Sequence, residues 1–337
     1  MKRRIIGPLI VLAMTLCIAM RGETASAPDA IAPQDSTINV IAWFNKHDTV
    51  TYRVDQCSWK LNATDTVLTA SYSIIARVNV VDSMANGYKM DYTFLDFQTD
   101  PLSDSASAMD RLQNQITDRL SKKIVGKTVH FETDECGRIT KYNNLGEIKK
   151  QAKSLFKEAL NEFSKFPEIK GLKEMGVDLK DYAKNVDTDK LVDGYLEELN
   201  MLFVYHGLSM QLGENTEHEE ATDSQYENTT YSSVSIDPDD GSYSIMQDVT
   251  SILPRNELKE MVGGFVESLS NDSITHSFNE DFDTQVIEDC TYEDYLKIDY
   301  LVNGWPYSIV REKASMIGNL GKVKQTVISL DSYYFAQ

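Results

Sequence analysis

Leu68-Thr69-Ala70-Ser71-Tyr72-Ser73-Ile74-Ile75-Ala76-Arg77-Val78-Asn79-Val80 sets an apolar residue at every second position: Leu68, Ala70, Tyr72, Ile74, Ala76, Val78 and Val80. Successive side chains of a strand point to opposite faces, so this is a long strand with one apolar side. Asn86-Gly87 ends the turn that follows, and Tyr88, Met90, Tyr92 and Phe94 open a partner strand on the same parity. A hairpin of this length must bury one face, and the rest of the chain is read for what covers it.

Upstream, Val50, Tyr52 and Val54 alternate, and Cys57, Trp59 and Leu61 continue one position out of phase. That slip predicts a bulge between Val54 and Cys57. Downstream of Pro101 the period becomes helical, with Met109, Leu112, Ile116 and Leu120 on one face, Ser103 or Ser105 as N-cap and Gly126 as the stop. Residues 128–132 and 138–142 flank Gly137 as a second hairpin.

Asn144 to Gly207 is the helical centre. Asn144 and Glu147 stand at capping-box spacing. Ile148, Ala152, Leu155, Phe156, Ala159, Leu160 and Phe163 share a face opposite Lys149, Lys150, Lys153 and Lys157. Pro167 ends that helix, a weaker segment covers Leu172 to Tyr182, and a third helix runs from Asp187 or Thr188 through Leu191, Leu196 and Leu202 to Gly207. Amphipathic helices need a cover for their apolar faces.

The β pattern then returns. Residues 226–236 lead into the turn Asp237-Pro238-Asp239-Asp240-Gly241, and Tyr243 and Ile245 open the return strand. A helix carries Leu258, Met261, Phe265 and Leu269. Leu296, Ile298 and Tyr300 then answer Trp305, Tyr307 and Ile309 across Asn303-Gly304, and a last strand spans Lys322 to Leu330. Gly87, Met109 and Gly137 thus match Gly241, Leu258 and Gly304 in order, an internal repeat of hairpin, helix and hairpin. The expected fold is α+β, with long antiparallel strands in curved sheets, packed helices and a central helical segment. The stretches are a signal peptide at 1–27, a β-rich half at 28–144, helices at 145–208 and a second β-rich half at 209–337.

Lys2, Arg3 and Arg4, the apolar run Ile5 to Met20 and Ala25-Ser26-Ala27 follow the order of a secretory signal peptide. Lipidation at Cys17 is the lesser alternative, since Met14-Thr15-Leu16 lacks the small residue such a signal carries. The net charge is −19, and loss of the leader removes four cations and one anion. Such a chain repels nucleic acid and anionic lipid heads. No later apolar run reaches the ~20 residues of a membrane helix, so no integral membrane protein is expected after signal removal. Cys57, Cys136 and Cys290 allow at most one disulfide between them.

No catalytic, cofactor-binding or metal-binding residue is assigned. His47, His130, His206, His218 and His276 lack zinc spacing. Gly207-Leu208-Ser209-Met210-Gln211 fails as a nucleophile elbow, and Gly318-Asn319-Leu320-Gly321-Lys322 fails as a phosphate loop. Asp237, Asp239 and Asp240 read as a solvated turn, not a calcium loop, because Gly241 falls one position early. The pairs Glu219-Glu220, Glu280-Asp281 and Glu288-Asp289 suit a chain this acidic without glycosidase chemistry. Cys136 has only Arg138 to lower its pKa and is expected to be inert or oxidised.

Asp35-Ser36-Thr37, Asp48-Thr49-Val50, Asp65-Thr66-Val67, Asp82-Ser83-Met84, Asp104-Ser105-Ala106 and Asp272-Ser273-Ile274 look like the O-glycosylation acceptor of exported Bacteroidota proteins. With the leader, residues 126–131 running to Gly137-Arg138-Ile139, and Asn303-Gly304-Trp305-Pro306, the chain resembles uncharacterised exported β-rich proteins of that phylum, which carry domains of unknown function. Some of these are similar to periplasmic lipoprotein carriers, in which a curved antiparallel sheet wraps an apolar cavity closed by helices. The resemblance supplies no catalytic residue. It implies a non-enzymatic periplasmic or envelope protein that binds an apolar small molecule or lipid. An envelope scaffold with a protein partner is the alternative, and a hydrolase the least favoured reading.

Overall fold

The first and last long strands of the chain lie side by side at the centre of one sheet. β2 (Thr49–Asn62) pairs antiparallel with β13 (Leu320–Tyr334), and pairing spreads outward from that seam on both sides. This computed structural model describes residues 37–165, 188–221, 226–269, 282–283, 286 and 288–336. The leader at 1–27, Asp35-Ser36, Leu172 to Tyr182, Asp272-Ser273-Ile274, His276 and Glu280-Asp281 lie outside the described residues.

On one side follow β3 (Asp65–Met84), β4 (Gly87–Thr99), β5 (Thr128–Thr133) and β6 (Ile139–Tyr142). On the other come β12 (Pro306–Ile317), β11 (Cys290–Tyr300), β10 (Tyr243–Leu253), β9 (Glu227–Ile236) and β8 (Gly213–Glu219), completing eleven antiparallel strands in one curved sheet. β1 (Thr37–Asn39) and β7 (Ser209–Gln211) form a separate pair. The edge strand β8 is exposed throughout and reads Gly-Glu-Asn-Thr-Glu-His-Glu, the charged composition that discourages pairing with a second sheet.

The helices are α1 (Ala108–Ser121), α2 (Leu145–Phe163), α3 (Thr188–Tyr195), α4 (Glu197–Phe203) and α5 (Arg255–Leu269). The chain is therefore α+β and β-rich. Hairpin, helix and hairpin recur in the same order: β4 and β5 are neighbours across α1, as β10 and β11 are across α5.

Several local expectations are corrected. α1 is capped by Ser107, which accepts from Asp110 N at 3.1 Å while Asp110 Oδ2 takes Ser107 N at 3.2 Å; Ser103 and Ser105 lie in the preceding loop. Asn144 makes no side-chain cap on α2. It clamps β5 instead, accepting from His130 N (3.0 Å) and donating to Thr128 O (2.8 Å). The third helix breaks at Leu196 into α3 and α4, so that Val192 and Leu196 as well as Leu199, Leu202 and Phe203 all reach the core. The expected bulge of β2 is absent: the extra residue in its ladder with β3 is Thr69 of β3, opposite Ser58 and Trp59, and the inner face of β2 runs Val54, Gln56, Ser58 without interruption.

The larger core joins the inner face of the sheet to α2, α3, α4 and the segment 203–208. A row of directly paired residues crosses eight strands within it: Val234, Ile245, Ile298, Ile309, Ile328, Val54, Ile74 and Phe97, each at most 4% exposed. Burying one such branched side chain contributes about 1.5–3 kcal/mol. A smaller core at the far end of β10, β11 and β12 gathers Leu253, Cys290 and Ile317 under Leu258 and Val262 of α5.

Two turns that the sequence marks by glycine, at Gly137 and Gly304, converge at one end. Gly137 (φ +95°) approaches Ala42 and the ring of His206 so closely that a Cβ would sit 2.7 Å from each, and a Cβ on Gly304 (φ +86°) would sit 2.4 Å from Ile41 O. Trp305 stacks on Phe44 at 3.9 Å, and His206 Nε2 donates to Gly304 O at 3.1 Å. Burial lowers the His206 pKa to about 4, so the ring is neutral.

Candidate functional site

α1, α2 and the α3–α4 break do not close fully onto the sheet. They leave a cavity of about 330 Å³ whose floor is Tyr72 and Ile74 of β3 with Phe94 and Phe97 of β4. Leu120 of α1 and Leu155, Phe156 and Ala159 of α2 form its walls, and Leu191, Tyr195 and Glu198 close one end. Within the α2 face that the sequence marks as apolar, Ile148 and Ala152 are buried, while Leu155, Phe156 and Ala159 are half-buried and line this space. Its volume falls at the lower end of the range for small-molecule sites, and its lining is mostly apolar.

Glu198 is the one carboxylate in that lining. Burial, then the neighbouring Glu197, raise its pKa to about 7 against the pull of Lys324, so a carboxyl that is half neutral near pH 7 faces an apolar space. The adjacent Glu197 behaves oppositely. Burial works against its ionisation, yet Lys324 (2.7 Å) and Lys313 (3.6 Å) bring it down to about 2.

Those lysines belong to a polar belt on the inner face that sequence reasoning missed. The apolar row runs through the larger core, which also takes in Leu296 of the next row, and Leu253, Cys290 and Ile317 begin the smaller one. Between them lie three rows of paired residues. The first holds Leu296, Arg311, Thr326, Gln56 and Tyr72; the second Asp294, Lys313, Lys324 and Ser58; the third Tyr292, Ser315, Lys322 and Lys60. At about 3.3 Å per residue the belt is some 13 Å from first to third row. Tyr72 belongs both to it and to the cavity floor.

Among the described residues, three carboxylates meet cations of the belt. Arg311 makes a two-pronged pair with Asp294 (2.9 and 2.7 Å), Glu197 bridges Lys313 and Lys324, and Asp110, reaching over from α1, holds Lys60 at 2.6 Å. Lys322 sits among cations: burial, then Lys60 and Lys324, lower its pKa to about 8 against Asp110. Ser315 Oγ is buried and has no hydrogen-bond partner among the described residues. The signal was present as Arg311-x-Lys313-x-Ser315 and Lys322-x-Lys324-x-Thr326, charged residues on the parity of Ile309 and Ile328.

The residues weighed from sequence are scattered. His130 pairs with Asp91 at 2.6 Å on the exposed side of β5, His218 lies on the edge strand, and His206 is packed in the core. Among the described residues no three His, Cys, Asp or Glu side chains gather as a metal site. Asp237 and Asp240 accept from the backbone of their own turn. Cys57, Cys136 and Cys290 are thiols on separate elements, and burial, then Asp134 and Glu135, raise the Cys136 pKa. Of the acceptor-like motifs, Asp65-Thr66, Ser83 and Asp104-Ser105 are exposed, whereas Asp48 is buried and fixes the backbone of Asn45 and Ala336.

No family model and no curated protein matches the chain. Among solved structures, lipovitellin, described for its lipid–protein interactions, aligns at 10% identity with a TM-score of 0.41. That alignment covers 87% of this chain and 26% of the other, so the chain spans about a quarter of the lipovitellin chain. An outer membrane channel from Pseudomonas putida F1 aligns at 6% identity with a TM-score of 0.13, covering 90% of this chain and 100% of that one. Neither likeness is close enough for a site or a ligand to be carried across.

Proposed function

We propose that the chain is an exported, non-enzymatic protein that binds an apolar or lipid-like ligand in the periplasm or cell envelope. The observation that carries this is the mostly apolar cavity between the sheet and α1, α2 and α3, lined by side chains such as Leu155 and Ala159 that stay half-buried. The leader composition supports export, with the form anchored through Cys17 less favoured. The Bacteroidota resemblance accords with that location.

The test is saturable binding of the neutral dye N-phenyl-1-naphthylamine to purified protein, with Ala159→Trp as the variant that fills the cavity. Binding lost in the variant supports the reading. Absence of saturable binding in the parent protein, or equal binding in both, overturns it.

An interaction module is the second reading. Trp43 (66% exposed) and Val302 (65%) stand close together, as the hydrogen bond from Trp43 N to Asn303 O fixes, and apolar residues so exposed suit a protein partner. In a hydrolase, the least favoured reading, Glu198 would be the acid or base.

A further inference from the structure

We propose that the cavity takes an apolar molecule bearing one positive charge, an alkylated ammonium group held between the Glu198 carboxylate and the aromatic rings around it. This rests on the cavity reading and adds the chemistry of the ligand's polar end.

Three observations lead to it. Tyr72, Phe94, Phe97, Phe156 and Tyr195 bring five aromatic rings to one space of about 330 Å³. Phe94 meets Tyr195 edge-on at 5.6 Å, and Tyr72 is tilted by 31° against Phe97 at 5.2 Å, so these rings are not stacked flat on one another. The negative π faces of such rings attract a cation, the more so where water is excluded. The charge of the lining also has one sign. Among the described residues Glu198 is its one carboxylate and no Lys, Arg or His lines it, so an anionic head meets no counter-charge there. Finally, Glu198 is only 7% exposed yet has no ion pair among the described residues, because Glu197 beside it takes both Lys324 (2.7 Å) and Lys313 (3.6 Å). A buried carboxylate without a counter-ion is costly, and an ammonium group from outside supplies the missing charge.

Phenols complete the surroundings. Burial, then the charge of Glu198, raise the pKa of Tyr72 and of Tyr92, which places both hydroxyls within its field. The Tyr92 hydroxyl is buried and has no hydrogen-bond partner among the described residues. The other charged groups that act on Glu198 are Glu197, which opposes its ionisation, and Lys324, which favours it. A positive head placed at the end of the cavity closed by Tyr195 and Glu198 leaves the apolar remainder against Ile74, Phe97, Leu155 and Ala159.

The experiment compares probes of one chain length, dodecyltrimethylammonium, dodecanol and laurate, each below its micellar concentration, by competition with N-phenyl-1-naphthylamine on the parent protein and on Glu198→Gln. The buffer is held at about pH 8, above the Glu198 pKa of about 7, with about 0.3 M sodium chloride to screen the net charge of the surface. The ammonium is expected to bind the parent protein about tenfold more tightly than dodecanol, with laurate the weakest. Glu198→Gln should bring the ammonium within about threefold of dodecanol and leave dodecanol itself within about twofold of its parent value. Equal affinity of ammonium and dodecanol for the parent protein, tighter binding of laurate than of the ammonium, or an ammonium advantage unchanged in the variant each overturns the cation site while the cavity reading stands. Failure of all three probes, dodecanol included, overturns both. Comparison on the parent protein alone decides the matter if the variant does not fold.

Discussion

Lys324 Nζ lies 2.7 Å from Glu197 Oε2, joining the middle of the last strand to the start of α4 across 127 residues of sequence. Lys313 shares the same carboxylate from the neighbouring strand. Glu197→Gln leaves two half-buried ammonium groups without their anion, and breaking such a pair costs about 3 kcal/mol. Urea unfolding at pH 7 should show a lowered midpoint with an unchanged slope. A midpoint equal to that of the parent protein would mean that solvent already screens the pair.

Glu198 and His206 impose opposite pH dependences. The carboxyl of Glu198 has its folded pKa raised from 4.5 to about 7, so the folded state binds the extra proton and stability falls as pH rises between those values. The imidazole of His206 has its folded pKa lowered from 6.5 to about 4, so stability is lost as pH falls through that range. Between about 4.5 and 6.5 the two largely cancel. Glu198→Gln removes one of them: relative to the parent, the variant should gain stability progressively from pH 4.5 to 7, by up to ~3 kcal/mol, measured as the difference in unfolding free energy at each pH. A constant difference across that range would contradict the assignment.

Lys322 is held charged below pH 8 in a place that opposes charge. Its depressed pKa means that stability is lower at neutral pH and recovers as pH rises from about 8 towards 10.5. Lys322→Met should therefore raise the unfolding free energy at pH 7 by about 1 kcal/mol once solvent screening is allowed for, with the gain shrinking above pH 9.

The convergence of Gly137 and Gly304 on the segment Ile41–Ala42 leaves no room for a methyl group. Gly304→Ala combines a left-handed backbone with a Cβ 2.4 Å from Ile41 O, and should cost about 2–3 kcal/mol or more. Gly126→Ala, with φ +79° and open space around it, should cost only about 1 kcal/mol. Thermal unfolding of the two variants separates backbone strain from crowding.

The hairpin of Leu68–Phe94, α1, α2 and the turns at Gly137, Gly241 and Gly304 were legible because each rests on local periodicity or a left-handed glycine. The break at Leu196 was not, since Leu191 to Phe203 keeps one helical stripe and only the packing of Val192, Leu196 and Leu199 on the sheet interrupts it. The cavity was legible only as an apolar face on α2 that needs a cover. The belt was written in the sequence but in a misleading form. The shift from Val54 to Cys57 reads as a bulge, yet the backbone stays in phase there: the inner face turns polar at Gln56 and Ser58, and the apolar residues Cys57 and Trp59 lie on the outer face. Apolar residues alone report phase correctly only where the inside is apolar.

The seam between β2 and β13 has a consequence for how the molecule is made. A chain synthesised as far as residue 319 has all its other long strands but offers two open edges, β2 and β12, at what will become the middle of the sheet. The final strand is the keystone, and its pairing with residues 49–61 closes the longest loop in the fold, a slow step by its topology. Until it arrives the polypeptide remains open to being threaded, held by a chaperone or lost to aggregation; afterwards no edge remains at the centre from which to pull it apart.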